Sequence, residues 1–208
     1  MTKREVPTGQ SPLITLPTGR GEAVTELKAT FEALAADVNA AVAFARAEDT
    51  QFSKRTLIRT FAAFVEGIVN QLSVVSVASA PLESGVFSLV EISALTERSF
   101  DVNEKGEVQE RPAKISLKRR LRLAFRCYPR IHGAEFELDI GATGWSDLCC
   151  AILIRNRITH PTSVHSLALS DEDMGRIGSA SSWFQDQLLA LLRSCETADR
   201  KWVDAPAA

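Results

Sequence analysis

The stretch that decides the fold is "KRTLIRTFAAFVEGIVNQLSVVSVAS", Lys54 to Ser79. Leu57, Phe61, Phe64, Ile68, Leu72 and Val75 recur at three- and four-residue steps, the period of one helix face. Ile58, Val65, Val69 and Val74 widen the stripe, so this helix is expected to be covered on more than one side. Glu66, Asn70 and Gln71 sit inside that apolar surround. A carboxylate in such a place faces solvent, the ordinary outcome, or a polar site.

Towards the N-terminus, Val24, Leu27, Phe31, Leu34, Val38, Val42 and Ala45 repeat the helical step and predict a long helix from about Gly21 to Glu48. Residues 1–20 hold three prolines and two glycines and read as a flexible arm. Towards the C-terminus, Pro81 should end the central helix, and a shorter helix is expected from about Ser84 to Thr96. "SFDVNEKGEVQERPA" reads as a polar connection with a small hairpin. Further helices are expected over Lys114–Tyr128, stopped by Pro129, and over Ser146–His160, with Ser146 as N-cap. The last helix begins at Ser170-Asp171-Glu172-Asp173, acids placed at the positive end of the dipole, and continues to about Cys195. The pattern predicts an all-α, single-domain bundle of five or six helices over residues 21–199, with a C-terminal tail at 200–208.

With 208 residues, 45% apolar and 24% charged, the chain can bury a sizeable core. The net charge of −2 excludes a chain that binds nucleic acid by overall charge. Cys127, Cys149, Cys150 and Cys195 form no Cys-x-x-Cys pair and are expected to be reduced thiols. No metal site and no cofactor are called for by this pattern. No apolar run approaches the roughly 20 residues of a membrane span, and the N-terminus lacks the apolar core of a signal peptide. The expectation is a cytoplasmic protein with no membrane contact.

Two local features carry chemistry. From Arg111 to Ala134 there is no acid, while eight cations stand there: Arg111, Lys114, Lys118, Arg119, Arg120, Arg122, Arg126 and Arg130. Lys114, Lys118, Arg122 and Arg126 step by four and would share one helix face. That face is either solvated and balanced by acids on a neighbouring helix, or a strip that binds RNA phosphates. The second feature is "ILIRNRITHPTS", Ile152 to Ser163. Arg155 and His160 are five residues apart, roughly 140° around an ideal helix, and would diverge if the helix ran on. Pro161 biases His160 away from α backbone, so the helix should end near Thr159 or His160 and let His160 swing back. An imidazole moves protons near neutral pH, and a guanidinium holds a phosphate and offsets growing charge. Asn156 can orient either. Arg126 and His132 repeat the pairing with five residues between, but Pro129 interrupts them. The ordinary alternative is an Arg155 that pairs with a helix acid and a His160 that caps the helix end. His165 is expected at the surface, and Trp145 and Trp183 in the core.

"IRNRITHP" resembles the Arg-x(4–6)-His signature of the HEPN superfamily, in which a polar residue, here Asn156, follows the arginine. "GWSDLCCAIL" before it and "SLALSDEDMGRI" after it are also similar to prokaryotic members. The likeness covers about Gly141 to Trp183, is general over Leu57 to Tyr128, and takes in none of the first 50 residues. It implies a metal-independent endoribonuclease with Arg155 and His160 as the functional pair and Asn156 beside them. It also implies a homodimer that joins two such sets in one cleft, and a toxin or phage-defence setting. Glu66 is a supporting candidate, because related domains can bring an acid from the early helix to the site. Some members are inactive, so a non-catalytic module that binds a protein or nucleotide partner is the alternative. A plain helical scaffold, with Arg155 and His160 on opposite faces, is the third.

Overall fold

The computed structural model describes residues 19–80 and 84–203. The chain is an all-α single-domain bundle of six α-helices with one two-stranded hairpin. The first 18 residues of the expected arm, Pro81 and the tail beyond residue 203 lie outside the described residues.

Helices α1 (Arg20–Glu48) and α2 (Gln51–Ser79) form a hairpin across a two-residue link. Asp49 takes left-handed backbone, φ 35°, and its N–H closes on the Ala45 carbonyl at 3.1 Å. Thr50 and Ser53 then cap α2 reciprocally, at 3.1 and 3.0 Å, so two orphan donors are satisfied at once. Lys54 bridges Asp49 at 3.0 Å and Asp171 at 3.5 Å, which ties this corner to the start of the last helix. Gly67 lets α1 approach: a Cβ there would stand 2.4 Å from Leu34 Cδ1.

Helix α2 is the central helix. Phe61, Phe64, Ile68, Leu72 and Val75 of the expected stripe are buried, as are Ile58, Val65 and Val69. Each such side chain contributes about 1.5–3 kcal/mol through burial. By length and mean hydropathy, 1.5 over 18 residues, α2 does reach the composition of a membrane span, contrary to the reading of the sequence. Half of that window is buried inside the bundle, because the widened stripe is what a helix packed on several sides requires.

Helix α3 (Leu89–Leu95) is shorter than expected and starts from a Ser88/Glu91 capping box. The hairpin pairs β1 (Arg98–Val102) with β2 (Val108–Pro112), Phe100 opposite Glu110. Helix α4 (Leu117–Cys127) leads into a 3-10 turn over Tyr128–His132. Pro129 therefore tightens the chain into that turn, and Gly133 ends it at φ 62°. Helix α5 (Thr143–Thr159) starts three residues earlier than expected, and Ser146 is not its cap. Asp139 Oδ1 accepts the N–H groups of Gly141 and Ala142 at 3.2 and 3.1 Å and turns the chain before the helix. Helix α6 (Asp171–Val203) begins at the expected Ser170/Asp173 cap but runs eight residues past Cys195.

The core joins these helices through aromatic contacts. Phe31 of α1 meets Phe64 of α2 at 5.9 Å, Phe64 meets Phe184 of α6 at 5.7 Å, and Phe184 meets Phe125 of α4 at 6.1 Å. Gly144 brings α5 against α6: a Cβ there would lie 2.2 Å from Trp183 Cβ. Trp145 and Trp183 pack with ring centroids 5.6 Å apart, the expected core role.

Candidate functional site

The C-terminal half of α5 faces the middle of α2, and there the carboxylate that interrupts the α2 stripe finds its partner. Arg155 Nη2 lies 3.0 Å from Glu66 Oε1 and donates to Oε2 at 3.2 Å. Arg155 Nη1 donates to Asn156 Oδ1 at 3.2 Å. Arginine and glutamate are both about one third exposed, so their contact is reachable from solvent. Glu66 thus faces Arg155 and is partly open to solvent. The structure brings together Arg155, Asn156 and Glu66.

His160 stands apart from that set. Helix α5 stays regular to Thr159, and the His160 N–H donates to the Asn156 carbonyl at 2.9 Å. At His160 the backbone leaves the helix (φ −121°, ψ 66°), where Pro161 requires it to. The imidazole is exposed and has no hydrogen bond or ion pair among the described residues. The expected swing onto Arg155 does not take the form of a contact within one chain. Both ordinary roles are filled as well, since Arg155 pairs with a helix acid and His160 is the C-cap.

What fastens the end of α5 and the segment that follows His160 is a collar missing from the sequence reading. Arg59 of α2 donates to the Ile158 carbonyl at 2.9 Å, satisfying an orphan acceptor of the last turn of α5. Arg55 donates to the Leu167 carbonyl at 3.2 Å. Gln51 exchanges hydrogen bonds with the Leu169 backbone at 2.9 and 2.8 Å. Arg157 completes the collar, donating to the Ala168 carbonyl at 2.8 Å and to Asp173 at 3.1 Å. Gln51, Arg55 and Arg59 step by four on α2, a polar row that was legible in the sequence as a second face.

The basic run divides. Arg111 pairs with Asp101 at 3.1 Å, Arg120 with Glu97 at 2.9 Å, and Arg130 with Glu91 at 2.6 Å. Eight cations less these three leaves Lys114, Lys118, Arg119, Arg122 and Arg126 exposed and without an ion pair among the described residues. Lys114 precedes α4, which starts at Leu117, so the expected four-residue stripe keeps only Lys118, Arg122 and Arg126 on the helix. Burial raises the pKa of the Cys149 thiol on α5, and the charge of Lys118 opposes that rise. Lys118 of the strip therefore lies near Cys149 on the helix that carries Arg155.

The Arg126–His132 pairing has the opposite geometry. Arg126 is exposed, while His132 Nδ1 is held by both Asp199 oxygens at 2.9 and 3.0 Å, with Nε2 buried. Beside it runs a cleft of about 1250 Å³, lined by cations of Arg20, Arg193 and Lys201 and by carboxylates of Glu135 and Asp199. Burial pushes the nearby Cys195 thiol up to about 11 and Tyr128 up to about 12, so neither supplies an anionic nucleophile near neutral pH. All four cysteines are free thiols, Cys127 and Cys195 buried, and His165 is exposed, as expected.

The bundle, with a polar cluster where α5 crosses α2, defines an all-α class of domain with an arginine held at a helix end. No family model, curated protein or solved structure matches the chain.

Proposed function

We propose that the protein is a metal-independent endoribonuclease of HEPN type that works as a homodimer. One observation carries the reading: Arg155, held by Glu66 and Asn156 yet open to solvent, shares a helix end with the exposed, uncommitted imidazole of His160. In the proposed reaction the RNA 2′-oxygen attacks the adjacent phosphorus, the O2′–P bond forms and the P–O5′ bond breaks. The 2′-hydroxyl proton passes to one imidazole, and the departing 5′-oxygen takes a proton from a second. Arg155 offsets the charge that grows on the phosphoryl oxygens. The products are a 2′,3′-cyclic phosphate and a 5′-hydroxyl end. Two proton-transfer roles and one His160 per chain favour two copies at one cleft. Leu153 and Val164, 63% and 75% exposed beside this end of α5, supply apolar surface for that contact.

The test is incubation of the purified chain with single-stranded RNA in EDTA, with the ends read by mass spectrometry. Cyclic phosphate ends that vanish in His160→Ala are the expected result, and equal cleavage by His160→Ala overturns the mechanism.

A second reading rests on the same pair. Glu66 sets both carboxylate oxygens against Arg155, which neutralises it and suits a non-catalytic module that binds a protein or nucleotide partner. Stoichiometric capture of a protein by the chain, with RNA left intact, favours this alternative.

A further inference from the structure

Between α4 and the segment that follows the 3-10 turn lies a groove of about 450 Å³. Arg119, Arg122 and Arg126 form one wall, and Phe136, Leu138 and Ile140 stand along the other. On an ideal helix Arg119 and Arg126 differ by roughly 20° around the axis and by about 10 Å along it, with Arg122 between them along the axis and roughly 40–60° to one side. The three guanidinium groups therefore point over the same edge, and none has an ion pair among the described residues. The opposite wall alternates. Phe136 and Leu138 turn inward, with Phe136 packed on Phe125 at 6.1 Å, while Ile140 remains 42% exposed. Glu137 also lines the groove, more than 4.0 Å from the arginine nitrogens.

We propose that this groove is a binding site for single-stranded RNA, taking one unpaired nucleotide at a time with its phosphates on Arg119, Arg122 and Arg126. The proposal deepens the ribonuclease reading and rests on it for the choice of RNA. The volume falls low in the range of roughly 300–1,000 Å³ found for small-ligand clefts, room for a nucleotide and too little for a duplex. The ligand must offer anions to one wall and a flat apolar face to the other, at short repeat. An unpaired nucleotide strand does both, and stacking on apolar or aromatic walls tolerates any base. A chain of side-chain carboxylates offers the charge alone, and Glu137 repels it. To a base, Glu137 offers an acceptor for an exocyclic amino group.

A fluorescent 2′-O-methyl RNA strand of ten nucleotides without self-pairing tests this on the full chain. It lacks the internal nucleophile, so binding is read whether or not the protein cleaves RNA. The single strand is expected to bind at least tenfold more tightly than its duplex or an acidic decapeptide. Arg119→Glu with Arg126→Glu should weaken it tenfold or more and reduce the slope of log Kd against log salt by about 1.4, two contacts at about 0.7 each. Lys28→Glu with Lys105→Glu, an equal charge change elsewhere, should cost less than threefold. Ile140→Asn should weaken binding threefold or more with the salt slope unchanged. Equal losses in the two charge pairs, equal binding of duplex or peptide, or an Ile140→Asn variant that binds as the parent does would overturn the groove. A groove that binds this strand in a protein that cuts no RNA leaves the site standing and removes the nuclease reading.

Discussion

The chain pairs an arginine with a histidine twice, and the two regions divide the partners in opposite ways. At the end of α5 the arginine is held, by Glu66 and Asn156, and the imidazole is open. At the end of α4 the arginine is open, and the imidazole is held by Asp199 with its second nitrogen buried. Spacing along the chain does not separate them, with four and five residues between the partners. Surroundings do. A proton-transfer group must reach a substrate, so only the α5 pair has an imidazole in a position to work, whereas the α4 pair has one in a position to brace the fold.

The largest effect should break the comparison at its centre. His160→Ala is expected to lower RNA cleavage by about 10²–10⁴-fold with little change in thermal stability, since its side chain is exposed and makes no hydrogen bond or ion pair among the described residues. His132→Ala should do the reverse. It removes a largely buried ring, 10% exposed, and its contact with Asp199, for a loss of about 2 kcal/mol. That corresponds to a Tm lower by roughly 4–8 °C for a domain of this size, with cleavage retained at temperatures where the variant is folded. Cleavage assays and melting curves on both variants check the exchange, and a cleavage defect confined to His132→Ala would reverse the assignment.

The two regions also differ in how much of them the sequence discloses. The α2 stripe and the α1 stripe are local periodicities, and their helices lie where the apolar spacing predicts. Arg155, Asn156 and His160 are legible because they fall within six residues, although the structure joins only the first two. The link from Arg155 to Glu66 spans 89 positions, so spacing marks the carboxylate as odd without naming its partner. Ser146 was the wrong cap because the turn made by Asp139 starts α5 earlier. Lys114 fell off the basic stripe because α4 begins only after Ser116. The extension of α6 past Cys195 carries Asp199 to His132, a tertiary contact that no helical period announces.

Glu66→Gln sharpens the α5 side. The amide keeps the shape and loses the charge, so Arg155 is expected to lose its fixed direction. If Glu66 positions Arg155 for chemistry, kcat should fall about tenfold, ~1.4 kcal/mol of barrier, with KM changed less than threefold. The Glu66→Asp variant, which restores the charge, should recover part of the loss. Higher activity or tighter RNA binding in Glu66→Gln would instead make Glu66 a group that restrains Arg155, and would favour the regulatory reading.

The smallest effect belongs to the α4 side and disappears in acid. Arg130, between Arg126 and His132, hydrogen-bonds Glu91, donates to the Val86 carbonyl and lies 4.8 Å over the Phe87 ring. This clasp fastens the turn that buries His132. Chiefly the Arg130 hydrogen bond, and then the Ser88 N–H, hold the Glu91 carboxyl at about 2, below its ordinary 4.5. A depressed folded-state pKa means that the contribution to stability is complete above pH 4.5 and is lost as the pH falls through about 2. Glu91→Gln should therefore be less stable than the parent at pH 7, and the gap should close between pH 4.5 and 2 in urea unfolding. Glu91 and Arg130 are 27% and 36% exposed, so the gap at pH 7 should stay within about 1 kcal/mol. Amide exchange sharpens the contrast: it should quicken at His132 in Glu91→Gln and remain unchanged at His160, whose collar of Arg59, Arg55, Gln51 and Arg157 is hydrogen-bonded to neither Glu91 nor Arg130. A gap that persists undiminished at pH 2 would mean that the clasp acts through packing on Phe87 and not through the charge of Glu91.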